Sequence, residues 1–221
     1  MTVLGDGGVL LRDVDTSIHD LHVDLGHGEG PALDLMAGDH QWGDVVIERR
    51  YSAFDLSSQG LIARYATVSA NALTSTNLST GVHLDTTQFD ATMMSSLDGR
   101  NAGVVLDQSS LTVHNLDTRL SATGIEAQTS TLHVREWLAD RHQLGLDLDD
   151  GSMATVRTFD ASGGTGTSDA LGGGGLLWGG SPSTRVQTST HDRFIETPVT
   201  FTDLDNNPIE AVIVVHGFHL A

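Results

Sequence analysis

The sequence predicts an all-β chain wound as a solenoid of parallel strands, and three observations carry that expectation. Glycines recur at Gly60, Gly81, Gly103, Gly124 and Gly145, spaced 21, 22, 21 and 21 residues apart. The positions one, three, eight and ten residues after each glycine are apolar in 19 of 20 cases, Thr155 being the exception, in a chain only 38% apolar overall. Within each unit the apolar residues alternate with polar ones, the period-two pattern of strands with one buried face. Two or three short strands per unit, repeated at a fixed interval, describe one coil of a solenoid that buries its apolar side only against neighbouring coils.

The first of these columns reads Leu61, Val82, Val104, Ile125, Leu146, and the second Ala63, Leu84, Leu106, Ala127, Leu148. Val68, Phe89, Leu111, Leu132 and Met153 form a third, and Ala70, Ala91, Val113, Val134 and Thr155 a fourth. Polar residues between the strands (Thr67, Gln88, Ser110, Thr131, Ser152) mark a bend, and each glycine suits a tight corner where φ is positive. A less regular apolar zone follows at Leu73 and Leu78, Met94 and Leu97, Leu116 and Leu120, Trp137 and Leu144.

Residues 1–16 are expected to cap the open end, because bare strand edges and an apolar hole need a cover. Residues 17–160 form the solenoid, its early coils less regular: Ser17–Leu25, Pro31–Leu35 and Gly43–Tyr51 each alternate as half-buried strands. Residues 161–183 are a glycine-rich connector, with Gly163–Gly180 half glycine and Leu176, Leu177 and Trp178 as an apolar end plug. Residues 184–221 read as a hairpin unit, Phe194–Asp203 and Ile209–Phe218 flanking a turn, DLDNNP, built for reversal. A lone hairpin is marginal in water, so this unit docks on the solenoid or on another copy; Trp178, Phe194, Phe201, Ile213 and Val215 are its docking candidates. Tyr65, Met93 and Trp137 are further outward candidates for contact between chains.

The leucine-rich repeat pattern L-x-x-L-x-L-x-x-N and the six-residue rhythm of a left-handed hexapeptide helix are both missing. The repeat instead resembles the right-handed parallel β-helix of the pectate-lyase-like superfamily. That resemblance implies a fold far more than a function.

Charge narrows the partners. All 11 basic residues are arginine, lysine is absent, and 29 acidic residues bring the formal charge to −18. Such a surface opposes nucleic acid and anionic membranes. Lysine-free, aspartate-rich chains resemble proteins of extreme halophiles, in which molar salt screens the self-repulsion. No cysteine is present, so neither disulfide nor thiolate chemistry arises. The first residues carry no basic segment followed by an apolar run, so no ordinary secretory signal is visible. No apolar stretch is long enough to span a bilayer as a helix.

Two outward columns gather candidate chemistry: Ile62, His83, Val105, Glu126, Asp147, and Arg64, Asp85, Asp107, Gln128, Asp149. Stacked carboxylates such as Asp85, Asp107, Asp147 and Asp149 have the spacing for acid and base roles in glycoside cleavage, or with Asp150 can hold Ca²⁺ (Asp107, Asp149 and Asp150). A salt-adapted chain that coats outward positions with aspartate produces the same columns without activity. The superfamily's polygalacturonases carry N-T-D, D-D, G-H-G and R-x-K in that order. Here Gly26-His27-Gly28 precedes Asp149-Asp150, N-T-D is missing and R-x-K is impossible without lysine. Gly26-His27-Gly28 therefore reads as a turn, and Arg64 and Arg135 as isolated cations. The histidines show no metal spacing; His83, His114 and His133 fall at different coil positions.

The expectation is a non-enzymatic structural protein with no cofactor beyond structural Ca²⁺ or salt ions. Its plan resembles viral tail spikes, fibres and capsid decorations: a homotrimer on the virion surface, made without a signal peptide in the host cytoplasm. Its partners are its own copies, other virion proteins and a host surface glycan or glycoprotein. The alternative is a polysaccharide lyase, glycoside hydrolase or glycan binder using the aspartate face.

Overall fold

The computed structural model describes residues 1–5, 7–27, 30–50, 58–140, 142, 144–148, 152–160, 185–188, 196–202 and 208–214. Among them every regular element is a strand. Sixteen run in order: β1 (Thr2–Leu4), β2 (Val9–Arg12), β3 (Thr16–Asp24), β4 (Pro31–Glu48), β5 (Gln59–Thr76), β6 (Thr80–Asp85), β7 (Gln88–Leu97), β8 (Ala102–Asp107), β9 (Ser110–Arg119), β10 (Thr123–Gln128), β11 (Thr131–Asp140), β12 (Leu144–Leu148), β13 (Met153–Asp160), β14 (Arg185–Thr188), β15 (Glu196–Thr202) and β16 (Pro208–Val214).

Fourteen strands pair in parallel as a solenoid of about six turns. One ladder runs β6–β8–β10–β12 from the first half of β5; the other runs β7–β9–β11–β13–β14 from its second half. The expected columns are vertical neighbours: Leu61, Val82, Val104, Ile125 and Leu146 pair in sequence, as do Ala63, Leu84, Leu106, Ala127 and Leu148. Leu73, Met94, Leu116, Trp137 and Phe159 form another column, extended downward by Val45 and Leu21. In these columns and the one beside them Leu61, Val82, Phe89, Met94, Leu111 and Ile125 are wholly removed from water, at 0% exposure. Their burial is the main drive for stacking, since a single coil has nothing to cover its apolar side.

The repeat glycines do another job than the one expected. Gly60, Gly81, Gly103 and Gly124 lie inside strands β5, β6, β8 and β10 and have no positive φ. They are small because the next coil's backbone lies against them. A methyl group on Gly103 would meet the carbonyl oxygen of Gly124 at 2.6 Å, and one on Gly124 that of Gly145 at 2.5 Å. On Gly81 it would strike Ser75 and Ser96 as well as the Gly103 carbonyl. The corners turn five residues later, at Tyr65, Thr86, Gln108 and Thr129, and Ala37 makes the same corner in the coil below, all with φ between 47° and 61°. A second positive-φ corner stacks Asn77, Asp98 and Leu120. Non-glycine residues hold left-handed φ here because the ladders on both sides fix the backbone.

The bend contains a polar column that lies one residue before the marked positions Gln88, Ser110 and Thr131 and coincides with the marked Ser152. Ser109 Oγ donates to the Asp107 carbonyl (2.7 Å) and accepts the Thr87 N–H (3.0 Å). Ser130 Oγ donates to the Gln128 carbonyl (2.6 Å) and accepts the Ser109 N–H (3.0 Å). Ser152 Oγ, donating to the Ala127 carbonyl (3.0 Å), accepts the Ser130 N–H (3.1 Å). Thr87 Oγ1 caps the series below, donating to Ala63 or Asp85 (3.0 and 2.9 Å). All four side chains are buried. Each serine hydroxyl accepts an N–H of the coil below that the turn would otherwise bury unpaired, while the Asp107 and Gln128 carbonyls also accept the N–H of Thr86 and of Gln108.

Register also corrects the last coil. Leu132 pairs with Ala154 and Val134 with Val156, so Met153 and Thr155 do not extend the third and fourth columns. Met153 is exposed, Ala154 and Val156 buried. The single polar exception in the repeat is thus a one-residue slip, and the interior column is apolar throughout. Trp137 is a second correction: it is 2% exposed, held inward by its column and by its indole N–H donating to Thr118 Oγ1 (2.8 Å). Tyr65 and Met93 do face outward.

At the N-terminal end β1 and β2 lie parallel on β3 and β4, adding a layer whose Met1, Leu4, Leu10 and Val14 are exposed. At the other end β14 continues the ladder on β13, and β15 and β16 pair antiparallel, Glu196 opposite Val214 and Thr202 opposite Pro208. Phe201 and Ile213 lie on those two strands; Trp178, Phe194 and Val215 lie outside the described residues, as do Leu176 and Leu177.

Candidate functional site

The two outward columns stand where the alternation puts them. Ile62, His83, Val105, Glu126 and Asp147 pair in register, and so do Arg64, Asp85, Asp107 and Gln128. Asp85 and Asp107 sit directly over one another, roughly 4.8 Å apart along the stack. Asp147 does not join them. It lies two strands above Val105 and two residues to the side, which separates its backbone from that of Asp107 by about 12 Å. Asp149 and Asp150 lie outside the described residues. Thr86 Oγ1 donates to Asp85 Oδ1 (2.9 Å), and Gln128, above Asp107, is exposed.

Neither arginine set aside as isolated is so. Arg64 Nη1 donates to Asp34 Oδ1 (2.7 Å), tying the column to the coil below; Arg135 Nη1 donates to His114 Nε2 (2.6 Å). Ile62, in an outward column, is nonetheless buried. Two half-exposed carboxylates one strand apart can accept hydrogen bonds from a sugar or share a hydrated cation. Among the described residues, no three His, Asp or Glu side chains converge as metal ligands.

The early coils hold polar clusters that the sequence did not announce. His40 is buried, its Nδ1 bonded to Thr16 Oγ1 (2.8 Å) and its Nε2 to the Ala37 carbonyl (3.1 Å), while Trp42 donates to the same hydroxyl (3.0 Å). The arrangement recurs at the far end: Trp137 donates to Thr118 Oγ1, and buried His142 lies 3.0 Å from that oxygen. Ser17, Ile18, His19, Gln41, Trp42, Gly43, Ser69 and Ala70 line an open groove beside the first unit. In the turn after β3, Gly26 has φ 54° and its N–H bonds Asp24 Oδ1 (3.1 Å), as the turn reading of Gly26-His27 requires. Asp24, buried, also pairs with Arg50 (2.7 Å), and His22 bonds Glu48 (2.9 Å). Coil lengths of 24 and 28 residues between β3, β4 and β5 hid these partners, because the 21-residue rhythm does not extend to them.

No protein family, curated protein or solved structure matches the chain. The fold, a parallel β-solenoid, is compatible with structural and with carbohydrate-related roles.

Proposed function

We propose that this protein is a non-catalytic structural element: a rigid post on the surface of a salt-adapted virus particle, as a spike, fibre or capsid decoration. The observation that carries the reading is the continuity of the interior. Apolar columns and a hydroxyl column run unbroken from coil to coil, so bending the post would open many contacts at once. The acidic, lysine-free exterior suits high salt, and the hairpin β15–β16 supplies a second unit for docking or self-association into trimers. The same lysine-free, acidic composition supports a halophilic archaeal host.

Particles purified from an infected halophilic host test the reading. Immunogold labelling is expected to place the chain on the particle surface, and native mass spectrometry in high salt to give a trimer. A monomer absent from particles overturns it. The Asp85–Asp107 stack favours a second reading, binding or cleavage of a host polysaccharide. In that case the chain depolymerises or retains the polymer, and Asp107→Asn loses the effect while keeping the fold.

A further inference from the structure

The corner that follows β4 buries a positive charge that has no counter-charge among the described residues. Arg49 is 2% exposed. Its backbone is locked in the ladder, its N–H donating to the Thr76 carbonyl (3.2 Å) and its carbonyl accepting from Asn77 Nδ2 (3.4 Å). Nη2 donates to the His27 carbonyl (3.3 Å), while Nε and Nη1 are buried and have no hydrogen-bond partner among the described residues. The nearby acids are engaged elsewhere: Asp24 holds Arg50 and the Gly26 N–H, and Glu48 bonds His22. Among the described residues no carboxylate pairs with Arg49, although the chain has 29 acidic residues to draw on.

A guanidinium does not shed its proton on burial as an amine can, so the charge cannot be neutralised from within. A buried, unpaired charge is among the costliest features a fold can carry, and unmade hydrogen bonds add to it. We infer that this corner, bounded by Arg49, His27 and Asn77, is a binding site for one small anion, a halide such as chloride. The ion accepts the hydrogens of Arg49 Nε and Nη1 and balances the charge. The near-zero exposure of these nitrogens selects a monatomic ion over a bulky carboxylate ligand. Arg50, exposed and already paired, is the built-in comparison.

The test uses the full chain, unfolded with urea at constant sodium and constant ionic strength while chloride replaces gluconate. One site selective for the native state makes the folding equilibrium constant rise tenfold for each tenfold rise in chloride above the dissociation constant. Arg49→Met is expected to remove that slope and Arg50→Gln to keep it. If Arg49→Met does not fold, crystals of the wild-type protein soaked in bromide supply the second reading: an anomalous peak within hydrogen-bonding reach of Arg49 Nε and Nη1. A wild-type slope of zero with no bromide at Arg49 overturns the inference and assigns the counter-charge to an acid outside the described residues. An unchanged slope in Arg49→Met overturns it too, by placing the ion elsewhere. Neither result bears on the structural-post reading.

Discussion

Replacing Gly103 by alanine separates two accounts of the repeat glycines. If they served positive-φ corners, alanine would be strained and asparagine, which tolerates left-handed backbone, would do better. The observed geometry reverses the order. Gly103 lies within β8, and its added methyl meets the Gly124 carbonyl at 2.6 Å and Thr118 Cγ2 at 3.2 Å. An ordinary contact begins at 3.4 Å, so the carbonyl must retreat by about 0.8 Å. That carbonyl belongs to β10, which is fixed on both sides by β8 and β12. Overpacking against a fixed backbone costs roughly 1–3 kcal/mol, and the upper half of that range applies because no side chain can rotate away. Asparagine adds three more heavy atoms in the same direction and should cost more than alanine.

The assay is urea unfolding, with the midpoint shifting at constant slope. Gly99→Ala is the control: its methyl meets Ser121 Oγ at 2.7 Å, a hydroxyl that can turn aside, and the expected cost is below about 1 kcal/mol. Gly103→Asn as stable as Gly103→Ala, or Gly103→Ala as stable as wild type, refutes the close-approach account.

Three further substitutions probe other columns by the same unfolding measurement. Ser109→Ala removes the acceptor of the buried Thr87 N–H, while the Asp107 carbonyl keeps the Thr86 N–H, an expected loss of about 1–3 kcal/mol; Ser109→Thr, which keeps the hydroxyl as Thr87 does, should be nearly neutral. Thr118→Val removes the hydroxyl that accepts the indole N–H of Trp137 and bonds His142 Nε2, and should cost about 1–3 kcal/mol, with a change in tryptophan fluorescence of the folded protein; an unchanged spectrum and stability would show the bonds to be dispensable. Met153→Asp should fall within about 0.5 kcal/mol of wild type and Ala154→Asp should lose more than about 3 kcal/mol, because only the second puts a charge in the core. Equal effects at 153 and 154 would restore the register expected from the sequence.

Interior columns were legible because every coil repeats the same constraint. Val82, Val104 and Ile125 occupy one position of one pleat, and an error in any single coil is outvoted by the others. Where the offset between coils differs from the glycine spacing the vote fails. The insertion before Met153 moves the buried set by one residue, and the 24- and 28-residue offsets around β4 put Thr16 beside His40 and Arg64 beside Asp34 across spacings that no repeat discloses. The glycines misled for a different reason. Glycine is compatible with a positive φ and with a missing side chain, and sequence does not distinguish the two; the corners were filled by Tyr65, Thr86, Gln108 and Thr129, which carry no turn signature in common.

The same reasoning explains why the fold was easier to read than the candidate site. An inward residue answers to its neighbours above and below, so Phe89 between Val68 and Leu111 has few substitutes. An outward residue answers chiefly to water and, in an acidic chain, to charge. Asp85 over Asp107 satisfies both demands without any ligand, and Arg64 on Asp34 relieves the acid load of the same face. Outward acids therefore carry little information about chemistry unless something else constrains them. Arg49 is the opposite case. It is buried, no partner among the described residues answers its Nε and Nη1, and a buried guanidinium left in that state is expensive enough to demand a partner. In a chain of formal charge −18, the place to look for a ligand is where a positive charge is hidden.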